Sequence, residues 1–81
     1  MPEELLELHQ FEGCPFCSKV REKMTELGID FIARQVKPNG AREKVRELTG
    51  ETQVPVLVDP NRDVVINESD DIVDYLDEHY S

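Results

Sequence analysis

A chain of 81 residues is expected to form one domain, residues 1–81, with a modest core and no second domain. Its net charge of −9, from 18 acidic against 9 basic residues, repels phosphate backbones and anionic lipid surfaces, so neither nucleic acid nor a membrane surface is an expected partner. The longest apolar stretch, Val54 to Val58, is broken by Pro55 and falls far short of the ~20 residues that cross a bilayer, and the acidic start Met1-Pro2-Glu3-Glu4 lacks the features of a secretory signal, which makes the cytoplasm the expected location.

Glu4 to Gln10 holds a short apolar run and predicts an opening strand that leads straight to Cys14. From Pro15 the period changes. Phe16, Val20, Met24 and Leu27 recur at steps of three and four and share one face of a helix, with Pro15 at its first position and Gly28 as its stop. Asp30 to Val36, rich in β-branched and aromatic residues and closed by Pro38-Asn39-Gly40, predicts a second strand. Strand, helix and strand make a βαβ unit with parallel strands, which puts the cysteines at the carboxyl edge of the first strand.

Ala41 to Leu48 predicts a short polar helix with Val45 and Leu48 inward and Gly50 at its end. Val54–Val58 and Val64–Ile66 are separated by Asp59-Pro60-Asn61-Arg62-Asp63, too short for a parallel crossover, so they are expected to form an antiparallel hairpin. Ser69-Asp70-Asp71 supplies an N-cap serine and an acidic first turn for a closing helix that sets Ile72, Val73, Leu76 and Tyr80 toward the core. The predicted order βαβαββα is an α/β fold: a four-stranded mixed sheet flanked by helices.

The two cysteines form Cys14-Pro15-Phe16-Cys17. A thiol is a useful nucleophile as thiolate, and the N–H groups of a helix N-terminus favour the thiolate of a residue placed where Cys14 stands. Cys17, one turn on and more enclosed, can attack a mixed disulfide on Cys14, so Cys14 is the expected nucleophile and Cys17 the resolving thiol. A structural disulfide here would close a very short loop and remove little entropy from the unfolded chain. A zinc site needs four ligands, and beyond the pair only His9 and His79 remain, so no metal is expected; an iron–sulfur cluster shared by two chains through Cys14 stays open as an alternative. His9 reads as a half-exposed strand residue and His79 as a solvent-facing one, and neither is assigned to the site. The carboxylates spread along the chain fit either a solubilising surface or adaptation to high salt.

Cys14-Pro15-Phe16-Cys17, Gln53-Val54-Pro55 and Glu68-Ser69-Asp70 together resemble the glutaredoxins and the related thioredoxin-like N-terminal domain of glutathione transferases, over almost the whole chain. The resemblance implies a thioredoxin-like (glutaredoxin) fold and a dithiol thiol–disulfide oxidoreductase that reduces protein disulfides or protein–small-thiol mixed disulfides. It implies that Pro55 is cis beside Cys14, that the Val54 backbone holds the cysteine of a bound thiol, that Ser69 and Asp70 hold its γ-glutamyl end, and that Phe16 borders the site. Glutathione or γ-glutamylcysteine is the implied reducing thiol, and oxidised or thiol-adducted client proteins are the implied partners of a monomer.

The chain departs from that pattern where glutaredoxins carry Lys or Arg three residues before the first cysteine. Phe11 stands there, followed by the negative Glu12. The γ-glutamyl end is therefore expected to be recognised better than the glycine end, unless Lys37 or Arg42 supplies the missing charge. Phe16 replaces a favoured Tyr and keeps the ring. Three alternatives share the resemblance: a redoxin reduced by a thioredoxin reductase, a cluster-binding carrier, and a transferase-like domain that binds a thiol without redox turnover.

Overall fold

A computed structural model of the chain describes residues 3–38 and 42–81. The elements follow the expected order: β1 (Leu6–Gln10), α1 (Pro15–Leu27), β2 (Phe31–Gln35), α2 (Glu43–Thr49), β3 (Val56–Asp59), β4 (Val64–Ile66) and α3 (Ser69–Tyr80). The sheet runs β2-β1-β3-β4, with β1 parallel to β2 and antiparallel to β3, and β3 antiparallel to β4. This is the thioredoxin-like mixed sheet.

Strand alternation divides the apolar residues between two clusters. Leu6, Leu8 and Leu57 pack with Val20 and Met24 of α1 and Ile72 and Leu76 of α3. Val56 points the other way and meets Val45 of α2 and Val36, with Leu48 and Val54 at the margin. α1 ends where Gly28 takes a left-handed φ of 69°, which lets its N–H reach the Thr25 carbonyl and the Ile29 N–H reach that of Met24.

Several expected boundaries and placements move. β1 begins at Leu6 rather than Glu4, and β3 at Val56 rather than Val54, because the cis Val54–Pro55 peptide precedes the strand and proline has no N–H for a ladder. α2 begins at Glu43 and reaches Thr49; Ala41, like Asn39 and Gly40 of the expected strand stop, lies outside the described residues. The N-cap of α3 is Glu68, whose carbonyl accepts the Ile72 N–H at 2.8 Å, so Ser69 is the first helical residue and not the cap. Phe16 leaves the buried face of α1 and is 62 % exposed, because Cys17, three residues before Val20, takes the buried position in the first turn.

His9 is not half-exposed but 3 % exposed. It lies on the face of β1 opposite Leu8, and burial holds its imidazole below the ordinary value of 6.5, with Glu7 opposing the shift and Arg34 and Lys44 reinforcing it. The unfolded chain then binds a proton near pH 6.5 that the folded chain refuses. Stability is full above that pH and falls as the pH drops toward the lower folded value. Melting curves at pH 7.5 and 5.5 are expected to separate more for the wild-type protein than for His9→Asn; equal separations would contradict it.

Candidate functional site

The site forms at the carboxyl end of β1. Gly13 takes a φ of 92°, a conformation open to glycine, and the turn it makes brings Cys14 to the N-cap of α1 with extended backbone angles. The Cys14 carbonyl accepts the Ser18 N–H at 3.0 Å, and Cys14 Sγ accepts the Cys17 N–H at 3.4 Å. The sulfur occupies the position an N-cap oxygen usually fills, and a donated N–H interacts more strongly with a thiolate than with a thiol.

Both cysteines are free thiols; Cys14 keeps 6 % of its surface exposed and Cys17 none. Burial, then the hydrogen bond with Cys14, pushes the Cys17 thiol up to about 12, while a backbone hydrogen bond from Phe11 and the Arg21 guanidinium pull against it. One thiol, nearly buried, borders a cleft at a helix N-terminus. The other waits, protonated, beneath it.

A cleft of ≈ 470 Å³ opens beside Cys14 and is walled by Phe16, Val54, Pro55, Ser69 and Asp70. Six of the seven residues singled out from the sequence thus line one cavity, and Cys17 lies under its floor. The β1–α1 loop supplies Cys14, the cis Val54–Pro55 peptide before β3 supplies the facing wall, and the first turn of α3 supplies Ser69 and Asp70. Asp70 forms an ion pair with Lys19 of α1.

The cleft also includes Arg42, Gln53, Asn67 and Glu68, which were not assigned to it from the sequence. Gln53 and Glu68 belong to the motifs already quoted. Asn67 donates to Glu51 Oε2 at 3.1 Å. Of the two candidates for a compensating charge, Arg42 lines the cleft and Lys37 does not. Arg42 is fixed there. Its guanidinium donates to the Thr52 and Pro38 carbonyls at 2.9 Å each and sits 5.6 Å from the centroid of the Phe11 ring. Glu12 lies outside the cleft lining, with its carboxylate 3.6 Å from Arg21. The repulsion expected from Glu12 is partly neutralised by Arg21.

Among the described residues, no group of three or more His, Cys, Asp and Glu side chains is arranged to hold a metal, and no helix is long and apolar enough to cross a membrane.

The glutathione S-transferase N-terminal domain family matches residues 8–81. The uncharacterized glutaredoxin-like 8.6 kDa protein in the rubredoxin operon of Clostridium pasteurianum is 29 % identical over 68 residues, covering 82 % of this chain and 91 % of its own length. Two solved structures superimpose closely. A glutathione S-transferase from the Antarctic clam Laternula elliptica has a TM-score of 0.84 at 32 % identity, over 95 % of this chain and 36 % of that one. Glutaredoxin 2 from Salmonella typhimurium, solved in complex with glutathione, has a TM-score of 0.83 at 25 % identity, over 93 % of this chain and 34 % of that one. The chain thus spans about a third of the length of these solved structures. The fold and the nearby cysteine pair support a thiol-based redox role, and the chain, which shares its thioredoxin-like fold with glutaredoxin 2, belongs to the glutathione S-transferase N-terminal domain family.

Proposed function

We propose that the chain is a dithiol glutaredoxin-type oxidoreductase that reduces protein disulfides or protein–small-thiol mixed disulfides and is re-reduced by a γ-glutamyl thiol, glutathione or γ-glutamylcysteine. The observation that carries this reading is the pairing of Cys14 Sγ, at a helix N-terminus and on a cleft, with the fully buried Cys17 thiol one turn below. A family member with a lone cysteine could bind a thiol. Two thiols in this arrangement can also exchange electrons with a disulfide.

In the cycle, Cys14 thiolate attacks one sulfur of the oxidised substrate, forms a mixed disulfide and releases the other sulfur as thiolate. Cys17 then attacks Cys14 Sγ as thiolate, its proton passing to the departing substrate sulfur, which forms the Cys14–Cys17 disulfide and releases the substrate as a thiol. Two molecules of the small thiol return both cysteines to thiols and leave as one disulfide. In the second route the small thiol itself resolves the mixed disulfide, and Cys17 is not needed.

Ser69, Asp70 and the N–H groups of the first turn of α3 hold the γ-glutamyl end, the Val54 backbone holds the thiol's cysteine beside Pro55, and Phe16 covers it. Arg42 supplies the positive charge that the sequence lacks before Cys14. Among the described residues its partners are backbone carbonyls and a ring, with no carboxylate paired to the guanidinium. Reduction of a protein–thiol mixed disulfide, followed with glutathione, γ-glutamylcysteine or a thioredoxin reductase as donor, tests the reading. Turnover with both γ-glutamyl thiols is expected, and turnover with the reductase alone would overturn it. Arg42→Gln should raise KM for glutathione about three- to tenfold, the loss of one charge-assisted contact.

A further inference from the structure

Beneath the cysteine loop lies a polar network that the cycle above does not use. Gln10, the last residue of β1, is completely buried, and its side chain is engaged at both ends. Its Nε2 donates to Gln35 Oε1 at 3.1 Å, and its Oε1 accepts from the Arg21 guanidinium. Its backbone carbonyl accepts the Val36 N–H at 2.8 Å, which joins the site of the network to the end of β2. The same guanidinium lies 3.6 Å from Glu12 Oε1, two residues before Cys14. Arg21 therefore reaches from α1 to the end of β1 and to the Cys14 loop at once.

Arg21 follows Cys17 by four residues on α1, so the two side chains share a helix face. A buried amide satisfied at both ends is a fixed partner, and it holds the guanidinium where the helix alone would leave a flexible chain. Among the described residues, Arg21 is the cation whose field opposes the burial of Cys17.

We propose that Arg21, clamped between Gln10 and Glu12, is the positioning residue of the resolving step: its guanidinium stabilises the Cys17 thiolate as that thiolate attacks Cys14 in the mixed disulfide. The proposal rests on the dithiol reading above. Cys17 is a poor nucleophile while protonated in an apolar setting, and a positive charge on its own helix face raises the thiolate fraction without opening the core. Glu12 moderates that charge. The first step, attack by Cys14 at the cleft, needs none of this.

The two steps can be watched separately with the aromatic disulfide dithionitrobenzoate, which releases one coloured thiolate when Cys14 attacks and a second when Cys17 displaces it. Arg21→Gln is expected to slow the second release about five- to tenfold near neutral pH and to move its pH–rate profile upward, with the first release changed less than about twofold. Arg21→Lys should recover most of the second rate. Glu12→Gln, at an exposed loop position, should speed the second release, and it decides the matter even if Arg21→Gln does not fold. A second release unchanged in these variants, or both releases slowed in parallel, would overturn the role of Arg21 and leave the dithiol reading standing. Absence of any second release from the wild-type protein would overturn the dithiol reading instead.

Discussion

Cys14→Ser is expected to abolish reduction of both protein disulfides and protein–thiol mixed disulfides, by at least about 10³-fold in rate, because both routes begin with the same nucleophile. A serine hydroxyl at that position keeps the N-cap and can still accept the Cys17 N–H, so the fold should survive. Cys17→Ser has a different signature. Removal of thiol adducts should continue with the small thiol as resolver, while reduction of protein disulfides falls. Steady-state rates on the two substrate types, with melting curves as a check on folding, read both effects. Retained activity in Cys14→Ser would remove the proposed mechanism, and complete inactivity of Cys17→Ser would remove its second route.

The largest expected effect on stability comes from the other end of β3. Asp59 is completely buried and accepts hydrogen bonds from Tyr75 Oη at 2.6 Å, from Tyr80 Oη, and from the Asn61 backbone and side chain at 2.9 and 3.0 Å. Burial by itself would raise this carboxyl, but the hydroxyl and amide donors outweigh it and hold it below its ordinary 3.8. Burial, followed by the bond to Asp59, pushes the Tyr80 hydroxyl up to about 12 and moves Tyr75 in the same direction. Asp59 thereby ties the hairpin to two turns of α3.

Asp59→Ala leaves two part-buried hydroxyls without their acceptor, at roughly 1–3 kcal/mol each, so a loss of about 3 kcal/mol is expected. In a domain of this size each kcal/mol lowers Tm by about 4–8 °C, so Tm should fall by more than about 10 °C. Asp59→Asn, which keeps an acceptor, should lose less. Because the folded value is depressed, the stabilisation is present above pH 4 and is lost as the pH falls through the folded value. Acid melting should therefore be steeper in the wild-type protein than in Asp59→Asn. Thiol exchange measured well below the new Tm should be unchanged, since Asp59 lies at the opposite end of β3 from Pro55.

The element order was legible because each element repeats a period. Val20, Met24 and Leu27 mark the buried and half-buried face of α1 at helical steps, and the short connection between Val58 and Val64 admits only a hairpin. Phe16 fits the same helical period and yet stands in solvent. Steps of three and four both continue a helical face, and in the first turn the buried position belongs to Cys17, three residues before Val20. His9 shows the converse. A lone polar residue in a strand reads as exposed, but Arg34 beside it on β2 and Lys44 of α2 lie close to His9, which is 3 % exposed.

For the site, the sequence by itself determined the thiol chemistry and the three segments that surround it, because Cys14-Pro15-Phe16-Cys17, Val54-Pro55 and Ser69-Asp70 are local patterns whose chemistry lies in neighbouring residues. Only the tertiary structure put Arg42 and not Lys37 or Glu12 on the cleft, and joined Gln10, Arg21 and Gln35. It alone also placed Asp59 under Tyr75 and Tyr80. The physical reason is the same in each case. A charge or hydrogen bond acts through a few ångströms of space, and the partners that folding brings within that reach are 11 to 31 residues apart along the chain for Arg42 and Phe11, Arg21 and Gln10, and Asp59 and Tyr75, with no pattern between them to read.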